Sequence, residues 1–234
     1  MTGLLKDIKF FLIGPFPQGD FGGLAVNLFL ALLTVVSGFI LGLILALGRI
    51  SENAVIRNFS TILIETIRSL PLILVIFWFY FIIPLFMGKP MPSLLSAYFS
   101  VTLYSAVNQA EIFRSGFMNI NKGQWQVAQC TGLSRSQCIL YVILPQTLKL
   151  MLPSFVGFFI SLFKDTSVIS IIGIIDLTNA GLILSQREPE KLVFSYIVMG
   201  GLYFIFCFVL SRIAKAIEKK QKIYNITYKN INQI

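Results

Sequence analysis

Residues 123–132 have the polar sequence GQWQVAQCTG, and an apolar stretch resumes at residues 142–145 with VILP. The polar segment lies between two long apolar regions of the chain. Its composition favours a short helix, and Gly132 stands where a glycine commonly ends one. A short polar helix with glycine boundaries between two membrane spans predicts a cytoplasmic element that contacts a partner protein.

The rest of the chain has the composition of a polytopic membrane protein. Of its 234 residues, 56% are hydrophobic and 12% are charged. Four stretches carry no charged residue, and each is long enough to cross a bilayer core, which takes about 20 helical residues. These stretches are residues 21–48, 69–88, 90–110 and 192–211. The composition therefore predicts an all-α polytopic membrane protein.

Five membrane-spanning helices follow from the apolar stretches and the polar breaks between them. They are expected at about 22–48, 59–86, 93–113, 145–175 and 192–213. The second is long for one crossing, so we expect a tilt or a kink at Pro71. Between the third and fourth spans we expect a turn at 119–123, a short helix to about Cys130, and a second short helix capped by Ser134.

Three regions are expected along the chain. Residues 1–20 are a periplasmic or interfacial segment in which Pro15 and Pro17 break any regular element. Residues 21–213 form the transmembrane domain, and residues 214–234 form a basic cytoplasmic tail. The first apolar run is too long for the central region of a cleavable signal peptide.

The placement of positive charge predicts the orientation in a cell inner membrane. The net charge is +9, and most of the 19 Lys and Arg residues fall in segments that we place in the cytoplasm. Under the positive-inside rule, the N-terminus then lies outside and the C-terminus lies in the cytoplasm. Aromatic residues do not alternate with the basic residues of the tail, so the expected partner is the lipid bilayer and not nucleic acid.

Sequence patterns for catalysis, metal binding or cofactor binding are absent. The chain has no His, and Cys130, Cys138 and Cys207 form no CxxC pair, so no metal site and no catalytic residue are expected. It has no GxxxxGK[ST] loop to hold the phosphates of ATP. We expect a non-catalytic subunit without a cofactor, and any ATP hydrolysis must occur on a separate chain.

A charged dipeptide lies inside the fourth expected span. Lys164 and Asp165 are adjacent, so their side chains diverge by about 100° on a regular helix and cannot simply neutralise each other. Thr166 and Ser167 add hydroxyl groups that can satisfy backbone groups if the helix loosens there. Charged residues within a membrane span commonly mark a pathway, and this pair suits a substrate with an amino and a carboxylate group. An internal network that ties the spans together is the alternative.

Two charged pairs with a spacing of three lie near the ends of other spans. Glu65 and Arg68 share a helical face and are expected to pair locally. Glu111 and Arg114 have the same spacing, and we expect a solvated pair at the end of the third span. We treat both as structural pairs, although Arg68 has a second possible role.

Arg68 and Ser69 immediately precede the expected kink at Pro71. Backbone groups freed by the kink could meet a ligand there. Arg68 could equally extend to the cytoplasmic interface, where a long basic side chain reaches water.

Three glycines, Gly38, Gly42 and Gly48, recur in the first expected span. In an apolar helix such glycines form a packing surface for a second helix. A nucleotide-binding loop is not expected from them.

The polar segment also fits a family signature. The pattern is Glu-Ala-Ala, three residues, Gly, nine residues and Ile-x-Leu-Pro. Here residues 126–128, Gly132 and residues 142–145 occupy those places. Further matching stretches are residues 65–72, 110–116, 122–124, 144–146 and 161–167. From about residue 21 to residue 210 the chain resembles the five-span permease subunits of polar-amino-acid ABC importers. Among these permeases, its sequence looks closest to the glutamate and aspartate type.

The resemblance implies several partners. They are a second permease subunit, identical or different, a periplasmic amino-acid-binding protein, and a dimer of cytoplasmic ATP-binding subunits. The coupling helix would dock on the ATPase through Gly123, Gln124, Gln126, Val127, Ala128 and Gly132. The substrate route would pass Arg68, Ser69, Lys164, Asp165, Thr166 and Ser167.

Gln126 departs from the family pattern, because a Glu usually occupies this place. A Gln can donate and accept hydrogen bonds but cannot form a charge-assisted pair with the ATPase. The function implied is a permease subunit that moves glutamate, aspartate or a glutamine-like amino acid inward across the inner membrane. The alternative is a self-sufficient secondary transporter or channel that uses Lys164 and Asp165.

Overall fold

The structure, a computed structural model, describes the backbone of residues 2–130 and 132–231, with side chains except at residues 2, 3, 122, 125, 128, 129 and 220–231. This part of the chain is all-α, as predicted. Its main helices are α1 Thr2–Ile13, α2 Gly23–Arg49, α3 Ala54–Arg68, α4 Leu72–Met87, α5 Ser93–Asn119, α6 Lys122–Cys130, α7 Arg135–Ile172, α8 Leu177–Arg187 and α9 Leu192–Ile231.

Among the described residues, three helices are long and apolar enough to cross a membrane, namely α2, α7 and the segment Pro189–Lys219 that includes most of α9. The bent pair of α3 and α4 qualifies as a fourth span. The helix α5 has 27 residues, as α2 does, but polar side chains lower its hydropathy. Much of α5 is buried between other helices, where a spanning helix need not be apolar. The count of five spans stays a prediction.

The centre of the bundle is the close, parallel contact of α2 with α5. A Cβ atom added at Gly38 would lie 2.5 Å from Ser105 Oγ, and one at Gly42 would lie 2.7 Å from the Ala106 carbonyl oxygen. Only glycine therefore allows the two backbones to approach this closely. The predicted packing role of these glycines is confirmed. Apolar side chains of α3, α4 and α7 pack around the pair.

The helix α1 corrects the expectation that residues 1–20 hold no regular element. Pro15 and Pro17 follow its last residue and so do not interrupt it. Phe11 is fully buried in a cluster with residues of α8 and α9. This contact fixes α1 on the end of the bundle where α8 lies.

The second predicted span, residues 59–86, is two helices and not one kinked helix. The axes of α3 and α4 differ by 108°, and the break falls at residues 69–71. Pro71 takes an extended conformation before α4, since a proline at that point cannot continue the backbone hydrogen bonds of α3. The position of the break at Pro71 was predicted correctly, and its angle was not predicted.

The helix α7 begins at Arg135 and not near Pro145, where the fourth span was predicted to start. The reason is a capping box: the Ser134 side chain accepts a hydrogen bond from the Gln137 N–H, and the Gln137 side chain accepts one from the Ser134 N–H. The predicted cap at Ser134 is thus confirmed. The type of helix then changes along α7. It is a π-helix at Cys138–Ile143, an α-helix at Leu144–Asp165 and a 3-10 helix at Thr166–Ile172.

The last helix, α9, continues without a break across the predicted boundary between residues 213 and 214. The predicted tail therefore starts inside a helix. Its final residues, 232–234, lie outside the described residues.

We predict that Gly42→Val destabilises the chain, because the larger side chain collides with the α5 backbone. Overpacking of this kind costs about 1–3 kcal/mol. The midpoint of thermal unfolding in detergent should fall. The matched control is Gly157→Ala, since a Cβ atom at Gly157 meets nothing within 4 Å. Equal midpoints for the two variants would contradict the proposed packing.

Candidate substrate pathway and coupling segment

A polar stripe runs along one face of α5. Tyr104, Asn108 and Glu111 are spaced by four and three residues, so they lie on the same side of the helix. The Asn108 side-chain amide donates a hydrogen bond of 2.8 Å to the Tyr104 carbonyl oxygen. The sequence analysis identified only Glu111, although the helical spacing would have indicated all three.

Arg68 approaches this stripe from the end of α3. Its guanidinium lies 3.4 Å from a Glu111 carboxylate oxygen. The adjacent Ser69 hydroxyl donates a 2.7 Å hydrogen bond to the Thr66 carbonyl oxygen. The bend between α3 and α4 therefore places the Arg68 charge beside α5.

Asp165 approaches the same stripe from the end of the α-helical part of α7. It is partly buried, and Tyr104 packs against the cluster that contains Leu162 of the same helix. The neighbouring Lys164 is exposed. The two charges thus differ in their surroundings, since adjacent residues of a helix point in directions about 100° apart.

The stripe therefore has a cation beside it on α3, and α7, which carries the anion Asp165, packs against Tyr104. Arg68 can bind a carboxylate in a forked geometry, and Asp165 can accept hydrogen bonds from an ammonium group. This combination suits a zwitterion. Ser69 and Ser167 lie next to these charges in sequence.

Thr166 belongs to a buried polar network, which is the alternative that the sequence analysis gave for this group of residues, although its partners Asn27 and Asp176 were not identified there. Its hydroxyl donates a 2.7 Å hydrogen bond to the Phe163 carbonyl oxygen and accepts one of 3.1 Å from the Asn27 amide. The same amide donates to Asp176 at 3.2 Å, and the Asn27 side-chain oxygen accepts from the Leu177 N–H at 2.9 Å. All three network side chains are fully buried. The network joins α2 to the segment between α7 and α8.

A cluster of charges surrounds Glu111, the last residue of the polar stripe. Glu111 pairs with Arg49 at 3.0 Å, with Arg68 at 3.4 Å and with Arg114. Glu65 pairs with Arg49 at 2.6 Å, which corrects the expectation of a local Glu65–Arg68 pair. The pairing partner comes from α2 because that helix ends beside α3. The Glu111–Arg114 pair is present, but as part of this half-buried cluster and not as an isolated solvated pair.

The helix α6 occupies most of the polar segment from which the sequence analysis began. It starts after a turn in which the Asn121 side chain accepts a 2.8 Å hydrogen bond from the Gly123 N–H. Gln124 accepts a 3.5 Å hydrogen bond from Gln146 of α7. Gln126 and Val127 are exposed, and the Val127 side chain is 64% accessible. The side chain of Ala128 lies outside the described part of the chain.

Gly132 follows α6 with a φ of 79°, a left-handed conformation that glycine adopts at helix ends. The predicted short helix, its end and the following cap are therefore all present. The exposed surface of α6 carries both polar and apolar side chains, and an ordered turn lies at each end of the helix.

A helical bundle with a bent second span, charged groups around a polar stripe and an exposed short helix before α7 is the architecture of an ABC-transporter permease. The family described as "Binding-protein-dependent transport system inner membrane component" matches residues 38–223, and the chain belongs to this family.

Two relatives extend this result. The chain is 36% identical over 216 residues to the "Inner membrane amino-acid ABC transporter permease protein YhdY" of Escherichia coli strain K12, covering 90% of this chain and 59% of the relative. It is 34% identical over 201 residues to the "Probable glutamine ABC transporter permease protein GlnP" of Bacillus subtilis strain 168, covering 85% and 92%. The chain thus spans little more than half of the Escherichia coli relative.

A solved structure shares the fold. The "Crystal structure of an amino acid ABC transporter with histidines" contains a chain that superposes with a TM-score of 0.81 at 26% identity. The match covers 94% of this chain and 97% of that one. The resemblance stated from the sequence is therefore confirmed.

Family membership settles several expectations. The chain is a multi-pass inner-membrane component of an ABC transporter and a non-catalytic subunit. This result favours an ABC permease over a self-sufficient transporter or channel.

We predict that Asn27→Leu destabilises the chain, because it leaves Asp176 and the Leu177 N–H without their bonds to this amide. A buried polar group left unsatisfied costs about 1–3 kcal/mol. Thermal unfolding in detergent measures the loss. Thr34→Val is the matched control, since the buried Thr34 hydroxyl donates to the Leu30 carbonyl oxygen of its own helix. A loss no larger than that of the control would show that the network contributes little.

Proposed function

We propose that this chain is the permease subunit through which an ABC importer moves a glutamine-like or glutamate-like amino acid into the cell. The names of its relatives support an amino-acid substrate, including glutamine for the Bacillus subtilis protein. The observation that carries the proposal is the pair of opposite charges at the ends of α3 and α7: Arg68 lies 3.4 Å from Glu111 of the polar stripe, and Asp165 is partly buried.

The proposed complex contains a second permease subunit, an ATPase dimer and a periplasmic amino-acid-binding protein. The family description, which names binding-protein-dependent transport, supports the last of these. The N-terminus lies outside and the C-terminus lies in the cytoplasm, because the positive-inside rule then places most basic residues in the cytoplasm.

In the proposed pathway, Arg68 binds the substrate carboxylate and Asp165 binds its ammonium group. Asp165 is partly buried, which strengthens its interaction with a ligand, and the Arg68 side chain is 39% accessible and so can be reached by one. Arg68 is available for this role because its contact with Glu111, at 3.4 Å, is the longest of the three that Glu111 makes. Ser69 and Ser167 contribute polar groups at the two ends, and Lys164 lines the route on its α9 side.

In the proposed coupling, α6 docks on the ATPase. The accessible Gln126 and Val127 provide the contact surface, with Gly123, Gln124, Ala128 and Gly132 shaping the helix and its ends. Gln126 supplies hydrogen bonds where related proteins carry a Glu, so this contact carries no charge from the permease.

We predict that Asp165→Asn lowers transport because it removes the negative charge that binds the ammonium group. A hydrogen bond to a charged group contributes about 1.5–3 kcal/mol, so uptake at limiting substrate should fall about tenfold or more. Uptake of labelled glutamine, glutamate and aspartate by cells that express the complete transporter measures this and ranks the substrates. The control is Glu190→Gln, an exposed carboxylate between α8 and α9. Wild-type uptake of every amino acid by Asp165→Asn would remove Asp165 from the pathway.

We predict that Val127→Asp weakens attachment of the ATPase, because it puts a charge in the centre of an apolar contact. The chain itself should fold, since the Val127 side chain is largely accessible. Copurification of the ATPase with a tagged permease measures the loss. Lys215→Asp, a charge change on the exposed part of α9, serves as the control. Undiminished copurification and uptake by Val127→Asp would contradict docking through α6.

A further inference from the structure

We propose that residues 49–57, where α2 ends and α3 begins, hold the coupling segment α6 in position from both of its ends. The name "corner" is used below for these residues. One tether joins the corner to α5 before α6, and the other joins it to α7 after α6. Arg135 and Glu52 are then positioning residues for ATP-driven transport, acting through α6. The proposal rests on the proposed docking of α6 only for its effect on transport.

The upstream tether is the pair of Arg49 and Glu111. Arg49 is the last residue of α2, and Glu111 lies two turns before the end of α5, which leads into α6. The atoms are 3.0 Å apart, and the side chains are 18% and 22% accessible. Arg49 also contacts Glu65 at 2.6 Å, which holds its guanidinium in place from α3.

The downstream tether is the pair of Arg135 and Glu52. Arg135 is the first residue of α7 and follows Gly132 closely, so it lies at the exit of the coupling segment. One nitrogen of its guanidinium pairs with the Glu52 carboxylate, and the other donates a 3.2 Å hydrogen bond to the Ile50 carbonyl oxygen. Because one planar guanidinium makes both contacts, they fix the orientation of the Arg135 side chain as well as its distance from the corner.

The corner is itself ordered by its own hydrogen bonds. The Asn53 side chain caps α3 by accepting from the Val55 N–H at 2.9 Å. The Arg57 guanidinium donates to the Ser51 carbonyl oxygen at 3.1 Å. The Ile50 N–H bonds back to Ala46 of α2 at 3.3 Å. The atoms that Arg135 contacts are therefore held by both helices.

Several described side chains of α6 are exposed, among them Gln126 and Val127, and the bond between Gln124 and Gln146 is 3.5 Å long. The helix packs against Cys138–Ile143 of α7, so the tether at Arg135 fixes the segment that α6 contacts. Movement of α6 passes through the tethers to the ends of α2 and α3, and α3 ends at Arg68.

A charge-swap series tests this brace: Arg135→Glu, Glu52→Arg and the double variant. The complete transporter in proteoliposomes is assayed for labelled L-glutamine and L-glutamate moved per ATP hydrolysed, with each amino acid as a separate probe. This ratio does not depend on the amount of folded protein. Each single variant should lower it about fivefold, because reversal replaces the attraction of an exposed pair with repulsion. The double variant should recover to within about twofold, because the Ile50 bond is not restored.

Arg187→Glu, a reversal of an exposed charge at the end of α8, is the matched control and should leave the ratio unchanged. Normal ratios in both single variants, or a double variant as poor as the worse single one, would overturn the effect of the brace on transport.

A second measurement separates the brace from the docking of α6. Spin labels at Gln126→Cys and Leu95→Cys, with the native cysteines replaced by Ala, report the distance between α6 and α5 in the complete transporter. The distance distribution should broaden in each single variant and narrow again in the double variant. An unchanged distribution in Arg135→Glu overturns the brace. If the distance distribution broadens in the single variants while the transport ratio stays normal, the result supports the brace and counts against docking through α6.

Discussion

The parallel contact of α2 with α5 is the interaction on which the rest of the structure depends. Because the two helices run parallel, the chain between them must return along the bundle, and α3 and α4 supply this return. Because the backbones touch at Gly38 and Gly42, no side chain separates them, and the polar groups of α5 are enclosed by protein. The bend between α3 and α4 then brings Arg68 beside Glu111.

Features set by local chemistry were predictable from the sequence. The break at Pro71, the end of the short helix at Gly132 and the cap at Ser134 each depend on the backbone preferences of one or two residues. The bend of 108° was not predictable, because a proline permits a break without fixing its angle. Similarly, α5 could be read as a span from its length, but its burial depends on the helices around it.

The candidate site was only partly predictable, for a related reason. Arg68 and Asp165 were recognised because charges are rare in apolar stretches. Tyr104 and Asn108 of the polar stripe carry no charge and so gave no such signal. Asn27 and Asp176 are 149 residues apart, and their contact depends on how α2 and the segment before α8 are arranged. Glu65 pairs with a residue of another helix for the same reason.

The π turn near the start of α7 sets the angular phase between the two ends of that helix. A π turn holds one residue more than an α turn, and each residue rotates a helix by about 100°. Loss of one residue from Cys138–Ile143 would rotate Asp165 by about 100° about the helix axis while Arg135 kept its place at the corner. The number of residues in this turn therefore determines which face of α7 is directed at the proposed pathway. Insertions and deletions there should be tolerated far less than in the exposed loops of the protein.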